Sequence, residues 1–244
     1  MIPCRTLIPF LLALTLTGCT ATANRLPSAS SQVRSQVLDA PPSPCGERYY
    51  LLVFGAQTTP KIPRLTHSWA TALRVIDRGP EAPPLVQEDT ISWLPATCQV
   101  RPWRFWIERA KNLDLHSSLE VCLDKREYVS AWGPFEMRDG AYKQFLMQKA
   151  FLESGQIGYQ AIDVVGEAAK LGTARNCVHA LTDMDPLFDH QTSPIFQFGN
   201  AGSESVVRQL AQRGALVDPC RTHDWLIPVL GLDRYPLIRR SFKW

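Results

Sequence analysis

The sequence lacks a hydrophobic run long enough to cross a membrane. Its longest apolar stretch, Leu7–Leu16 (LIPFLLALTL), has ten residues, whereas a bilayer core takes about 20 residues of helix. Charge of one sign is scarce too: the net charge is +3 over 244 residues, and nucleic-acid binding needs a concentrated basic face. No segment repeats at a fixed period, which argues against solenoids and propellers. Hydrophobic residues make up 45% of the chain and charged residues 20%, as is typical of globular proteins.

Motifs for common cofactors are missing as well. No Cys-x-x-Cys or His-x-x-x-His pair occurs, and neither does the Gly-x-Ser-x-Gly elbow. The chain also lacks a glycine-rich phosphate-binding loop of either the dinucleotide-binding or the P-loop type. The glycines that come nearest to these patterns are Gly133, Gly140, Gly155 and Gly158. A zinc site of Cys177, His179 and His67 is a poor alternative, because Cys-x-His on a helix directs its two side chains to different faces. We therefore expect no metal and no cofactor.

The N-terminal segment carries a targeting signal. A short basic start, Met1–Arg5, precedes the apolar run, which ends in Leu16-Thr17-Gly18-Cys19. These four residues resemble the lipobox of bacterial lipoproteins, in which a peptidase cuts before the cysteine and the thiol carries a diacylglycerol. The resemblance implies a signal peptide over residues 1–18, lipidation of Cys19 and a lipid anchor in a bacterial membrane of the cell envelope, facing the periplasm or the exterior. A plain secretory signal with an incidental cysteine is the alternative.

Composition divides the remaining chain into a tether and one domain. Residues 19–46 hold the expected lipidated cysteine and a stretch rich in Ser, Ala and Pro, which predicts a flexible tether. Residues 47–244 predict a single α+β domain, an antiparallel sheet packed with helices. Strands are predicted over residues 49–57, 67–76, 90–94, 128–132 and 157–165, and helices over residues 113–125, 139–154, 176–184 and 203–213.

Cysteine arithmetic singles out one residue. Cys4 falls in the expected signal peptide and Cys19 at the lipidation site, which leaves five of the seven cysteines. An odd number means that at least one thiol stays free. Four of the five could form up to two disulfides in an oxidising envelope, in three possible pairings: Cys45, Cys98, Cys122 and Cys220. The fifth, Cys177, lies in the most informative context.

Cys177 follows a good helix cap. Asn176 is a favourable N-cap, so Cys177 would occupy the first helical position, where backbone amides favour a thiolate and can stabilise an oxyanion. We therefore expect a lowered thiol pKa and a cap or oxyanion role for Asn176. His179 cannot serve as the base, because two residues along a helix rotate the side chain by about 200°.

The base must then come from elsewhere in the chain. His67, at the start of a strand, is the base that we predict, with His116 as the second candidate. A third group should orient the imidazole. The next strand offers Ser92 and Asp89 on opposite faces, and we favour Ser92.

The order of these residues resembles a known arrangement. His67 in THSWATALRV precedes Cys177 in NCVHAL, and this is similar to the circularly permuted papain-like and NlpC-type cysteine hydrolases, among them the YaeF/YiiX-like proteins and the lecithin retinol acyltransferase-like enzymes. The resemblance covers residues 67–184. It implies a permuted papain-like fold and cleavage of amide, ester or thioester bonds through an acyl-cysteine intermediate, with Cys177 as nucleophile and His67 as base. Cell-wall peptides and lipid acyl groups are the implied substrates. A non-catalytic envelope lipoprotein that binds a wall, membrane or protein partner is the alternative.

Two segments mix aromatic and basic residues. They are residues 101–109 (RPWRFWIER) and residues 234–244 (RYPLIRRSFKW). Such mixtures suit a membrane interface or an anionic polymer. We expect instead an ordinary solvated face with half-buried tryptophans, and no nucleic-acid partner.

Overall fold

Two long antiparallel strands, β1 (Glu47–Gln57) and β2 (Thr66–Ile76), form the centre of the main sheet. The computed structural model describes residues 46–79, 81–164, 166, 171–185 and 198–242. Both faces of β1 are buried, which explains why the run YYLLVF is continuously apolar rather than alternating. Leu51 and Val53 face one core cluster, and Leu52 and Phe54 face the other.

The main sheet has the strand order β3-β2-β1-β6-β9, with β3 at Leu85–Ile91, β6 at Tyr128–Met137 and β9 at Leu237–Arg240. All neighbours are antiparallel except β6 and β9, which are parallel. Two short pairs accompany it: antiparallel β4 (Trp93–Pro95) with β5 (Ala110–Asn112), and parallel β7 (Gly158–Tyr159) with β8 (Ala174–Arg175).

Helices cover both faces of this sheet. Their bounds are α1 Leu115–Asp124, α2 Asp139–Leu152, α3 His179–Thr182, α4 Asn200–Gln212 and α5 Leu226–Val229, with 3-10 turns at Pro63–Leu65 and Leu232–Arg234. The face that shares its core with α2, α3 and α4 is called the α2 face. The opposite face, which shares its core with α1 and α5, is called the α1 face. The predicted single α+β domain is thereby confirmed.

Two predicted elements are much shorter than expected. Among the described residues of the predicted strand over 157–165, only the two residues of β7 form a strand, and the predicted helix over 176–184 is regular only in α3. The predicted strand over 90–94 is split at Ser92 between β3 and β4. The split has a distant cause, because the Ser92 N–H donates to Oδ1 of Asn112 at 2.7 Å and the chain leaves the main sheet there.

The N-terminal predictions lie outside the described residues. These are the signal peptide, Cys19, Cys45 and all of the tether except Gly46. In the part of the chain that the structure describes, no helix combines the length and apolar character needed to span a bilayer. Cys98 and Cys122 carry free thiols, so the option of two disulfides among the four candidate cysteines is not realised.

Candidate active site

Cys177 lies in a capped turn that leads into α3. Oδ1 of Asn176 accepts from the backbone N–H groups of Val178 at 2.9 Å and His179 at 2.8 Å, and the Asn176 carbonyl accepts from Ala180 N at 2.9 Å. Asn176 therefore caps this turn. Ala180 is fully buried in the core of the α2 face. The turn is therefore held by the Asn176 cap at its start and by packing into the core after it.

A buried polar cluster that was not predicted from the sequence holds the turn from behind. Asp163 accepts from the Asn176 backbone N–H at 2.7 Å and from Asn176 Nδ2 at 2.9 Å, and its Oδ1 lies 2.7 Å from His179 Nδ1. The Asn176 side chain therefore caps the turn through Oδ1 while Nδ2 donates to Asp163. The Asp163 carboxylate thereby orients the His179 imidazole.

His67 and Ser92 form the pair that we favoured. His67 Nε2 and Ser92 Oγ lie 2.8 Å apart, and both residues are buried. The imidazole also stacks on Trp69, with 5.2 Å between ring centroids. His67 Nδ1 is buried and has no hydrogen-bond partner within the described structure. The competing Asp89 is engaged elsewhere, with Lys149 at 2.8 Å and the Tyr142 hydroxyl at 3.4 Å.

The Cys177 thiol lies near the two neighbours of His67 along β2, but it makes no hydrogen bond with the His67 imidazole. The backbone of Ser68, the residue after His67, is close enough to the Cys177 thiol to lower the pKa of that thiol, and Thr66 lines the same pocket as Cys177. Alternation along the strand directs His67 to the side opposite Thr66 and Ser68. Among the described atoms no hydrogen bond joins His67 to Cys177.

Burial determines the charge state of both groups. It raises the pKa of the Cys177 thiol to about 11, against backbone hydrogen bonds from Ser68, Cys177 and Val178 that lower it, while the Asp163 carboxylate raises it further. The expected lowering of this pKa is therefore wrong, because the residue is only 8% exposed and no imidazolium offsets the loss of hydration. Burial likewise lowers the pKa of His67 to about 3, and the charge of Lys125 acts in the same direction. At neutral pH the thiol and the imidazole are both uncharged.

A mostly apolar pocket of about 170 Å³ opens onto Cys177. Its wall comes from five segments: Pro63, Thr66, Val100, Pro102, Trp103, Tyr159, Ala161, Ile162, Asn176, Val178 and Phe198. An engineered cavity of roughly 150 Å³ with apolar walls binds benzene. The Cys177 pocket is thus large enough for an aromatic ring or an acyl segment of about six carbons.

The second candidate base lies apart from this pocket. Nδ1 of His116 is 3.1 Å from the Tyr235 hydroxyl and 3.2 Å from Arg234, and the ring stacks on Tyr235. His116 does not line the pocket, so the structure gives it no access to Cys177.

Known proteins offer no guide to the chemistry of this site. Comparison of the chain with known protein families, curated proteins and solved structures gives no match. Within the described residues, no three metal-ligating side chains are grouped in a way that could hold an ion. The assignment of a function therefore depends on the geometry of Cys177, His67 and Ser92.

Proposed function

We propose that this protein is a cysteine hydrolase or acyltransferase that cleaves amide, ester or thioester bonds through an acyl-cysteine intermediate. The observation that carries the proposal is the buried His67 imidazole. Ser92 lies within hydrogen-bond distance of Nε2, and Nδ1 has no partner among the described residues. The next residue along β2, Ser68, has a backbone group that lowers the pKa of the Cys177 thiol. A buried polar atom without a partner is costly. A role as proton acceptor in the reaction would explain why the protein keeps Nδ1 of His67 buried without a partner.

The tautomer of His67 decides whether it can act as the base. If Ser92 Oγ accepts the proton on Nε2, the lone pair of the imidazole lies on Nδ1. Nδ1 then takes the Cys177 thiol proton while the sulfur bonds to the acyl carbonyl carbon. The resulting oxyanion forms beside the backbone N–H groups of Ser68 and Cys177, which also lower the pKa of the thiol.

Collapse of this tetrahedral species breaks the bond to the leaving group, which takes the proton from His67. In the second half-reaction, His67 removes a proton from water or from an acceptor hydroxyl or amine. That nucleophile attacks the thioester, and the thiol recovers its proton. Because both groups are neutral at rest, proton transfer accompanies sulfur attack. It requires Nδ1 to reach Sγ from the opposite side of β2, so His67 or the Cys177 turn must move when substrate binds.

The same pocket supports a second candidate function. The missing hydrogen bond between His67 and Cys177 and the neutral thiol favour a binding module that holds an apolar ligand without turnover. In that case Cys177 is a small buried wall residue.

Hydrolysis of p-nitrophenyl esters with acyl chains of two to eight carbons separates the two functions. Cys177→Ala should abolish turnover, and His67→Ala should reduce kcat/KM by about 10²–10⁴-fold. His116→Ala is the matched control and should change it less than about twofold. Turnover that survives Cys177→Ala would refute the proposed acyl-cysteine mechanism. Esters that bind to the unaltered protein but are not hydrolysed would support the binding module.

We further propose that the protein is a lipoprotein of the cell envelope, anchored through Cys19. The support is the Leu16-Thr17-Gly18-Cys19 motif after its apolar run. Radiolabelled palmitate should be incorporated into the full chain and not into Cys19→Ser. Equal labelling of both chains would contradict the anchor.

A further inference from the structure

Residues Arg101–Ile107, called the aromatic loop, display large apolar side chains to solvent. Trp103 is 73% exposed, Phe105 69% and Trp106 62%, and Ile107 is exposed beside them. The expectation of half-buried tryptophans on a solvated face is therefore wrong. Contiguous apolar surface of this kind is rare on a face that meets only water, and it commonly marks an interaction site.

Polar contacts at its base hold the loop in place. Glu108 pairs with Arg104 and lies 3.8 Å from Arg101. Glu108 also exchanges two backbone hydrogen bonds with Tyr159, at 2.9 and 2.8 Å. The guanidinium of Arg104 lies over the Trp106 ring, 4.5 Å from its centroid. The exposed rings are thus presented from a fixed frame and do not fold back onto the domain.

The aromatic loop also stands beside the mouth of the Cys177 pocket. Trp103 and its neighbour Pro102 line that pocket, although most of the Trp103 side chain remains exposed. Whatever covers the loop therefore also faces the pocket opening.

We infer that the aromatic loop docks onto the surface of a bilayer that contains anionic lipids. Tryptophan and phenylalanine next to arginine are the residues that occupy the interface between headgroups and acyl chains. Residues 101–109, which include the aromatic loop, carry three arginines, Arg101, Arg104 and Arg109, against one acidic residue, Glu108. The net charge of this segment therefore complements anionic headgroups. One consequence rests on the proposed function: docking places the pocket mouth at the interface, so the acyl substrate comes from a membrane lipid.

Vesicle binding tests the docking directly. The full chain and its Trp103→Ala/Phe105→Ala/Trp106→Ala variant are titrated with vesicles of 70% phosphatidylcholine and 30% phosphatidylglycerol. The variant should bind at least about tenfold more weakly, because three rings lose their burial. Trp225→Ala is the control: Trp225 is also exposed, at 43%, but packs edge-on against Tyr50, whose side chain belongs to the α1 face. It should bind like the unaltered chain. Residues 1–45 are the same in all these proteins, so any membrane affinity that they contribute is common to every measurement.

Two further readouts guard against a misfolded variant and locate the contact. Phe105→Asp alters one exposed side chain and should also weaken binding. Tryptophan fluorescence of the unaltered chain should be quenched by brominated lipids, and Trp103→Phe/Trp106→Phe should remove most of that quenching. Unchanged affinity in both loop variants, or quenching that persists without Trp103 and Trp106, would overturn the proposal. So would equal binding to pure phosphatidylcholine vesicles.

Docking and catalysis fail independently in this design. Cys177→Ala should bind vesicles like the unaltered chain, whether or not the protein is an enzyme. Vesicle binding that depends on the aromatic loop without ester turnover would support docking and refute the proposed function. Ester turnover together with vesicle binding that does not depend on the aromatic loop would support the proposed function and refute docking.

Discussion

The Cys177 thiol is subject to two opposing influences. Backbone N–H groups stabilise a thiolate, while burial removes the water that would solvate it. Burial prevails, because the pKa of the thiol is raised to about 11. A cysteine in a capped turn is therefore not activated by the turn alone, and any activation must come from His67 during the reaction.

Alkylation of Cys177 should accordingly be slow at pH 7. Because only the thiolate reacts, the rate with iodoacetamide should rise about tenfold per pH unit from pH 7 to pH 10, without a plateau below pH 10. Peptide mass spectrometry identifies the modified site. A rate at Cys177 that levels off near or below pH 8.5 would show that the thiol is activated at rest and would contradict this account.

His67 should make the domain sensitive to acid. Its folded pKa of about 3 lies below the ordinary value of 6.5, so the unfolded chain binds the extra proton first. The stability linked to a neutral His67 is complete above pH 6.5. It is lost as the pH falls from about 6.5 towards 3, by up to about 1.4 kcal/mol per pH unit.

Urea unfolding at pH 7.5, 5.5 and 4.5 measures this effect. His67→Gln should have a shallower loss of unfolding free energy with falling pH than the unaltered chain, whatever its stability at pH 7.5. His116→Gln is the control and should keep the original slope. Equal slopes for all three proteins would show that His67 is not buried in the neutral form.

At the scale of elements, two helical turns with the same kind of cap should respond differently to its loss. Asp114 caps α1 by accepting from Ser117 N at 2.8 Å, in an exposed setting. Asn176 accepts two N–H groups and also donates to the buried Asp163. Asp114→Ala should cost about 1 kcal/mol. Asn176→Ala should cost about 2–3 kcal/mol, since it also removes a partner of a buried carboxylate. Urea midpoints of the two variants compare them, and equal costs would refute the role given to the Asp163 cluster.

Elements with long local patterns could be predicted from the sequence, and those set by distant contacts could not. Helix α1 could be predicted, because its apolar spacing lies within one short segment. The break at Ser92 was not anticipated, because its cause is Asn112, twenty residues away. The Asp163 cluster was missed for the same reason: a carboxylate in an apparent strand gives no local sign that it will bind a turn at Asn176.

At the scale of the whole molecule, alternation along β2 puts His67 and Trp69 on one face, where they stack. It also led to the choice of Ser92 as the partner of His67. The side of β2 from which Cys177 approaches is determined by how β7, α3 and the aromatic loop pack around it. That packing has no signature within any one segment. The contact between His67 and Ser92 could therefore be predicted from the sequence, whereas the orientation of Cys177 relative to His67 and the neutral thiol could not.

The central claim is that Cys177 carries the acyl group and that His67 transfers its proton. The most direct measurement is the mass of the protein after rapid mixing with p-nitrophenyl hexanoate and an acid quench, with the acylated residue located by peptide mapping. We predict one hexanoyl group on Cys177, none on the free thiol of Cys98, and acylation slowed by at least about 10²-fold in His67→Ala. No acyl group on Cys177, or the same rate of acylation with and without His67, would contradict the account.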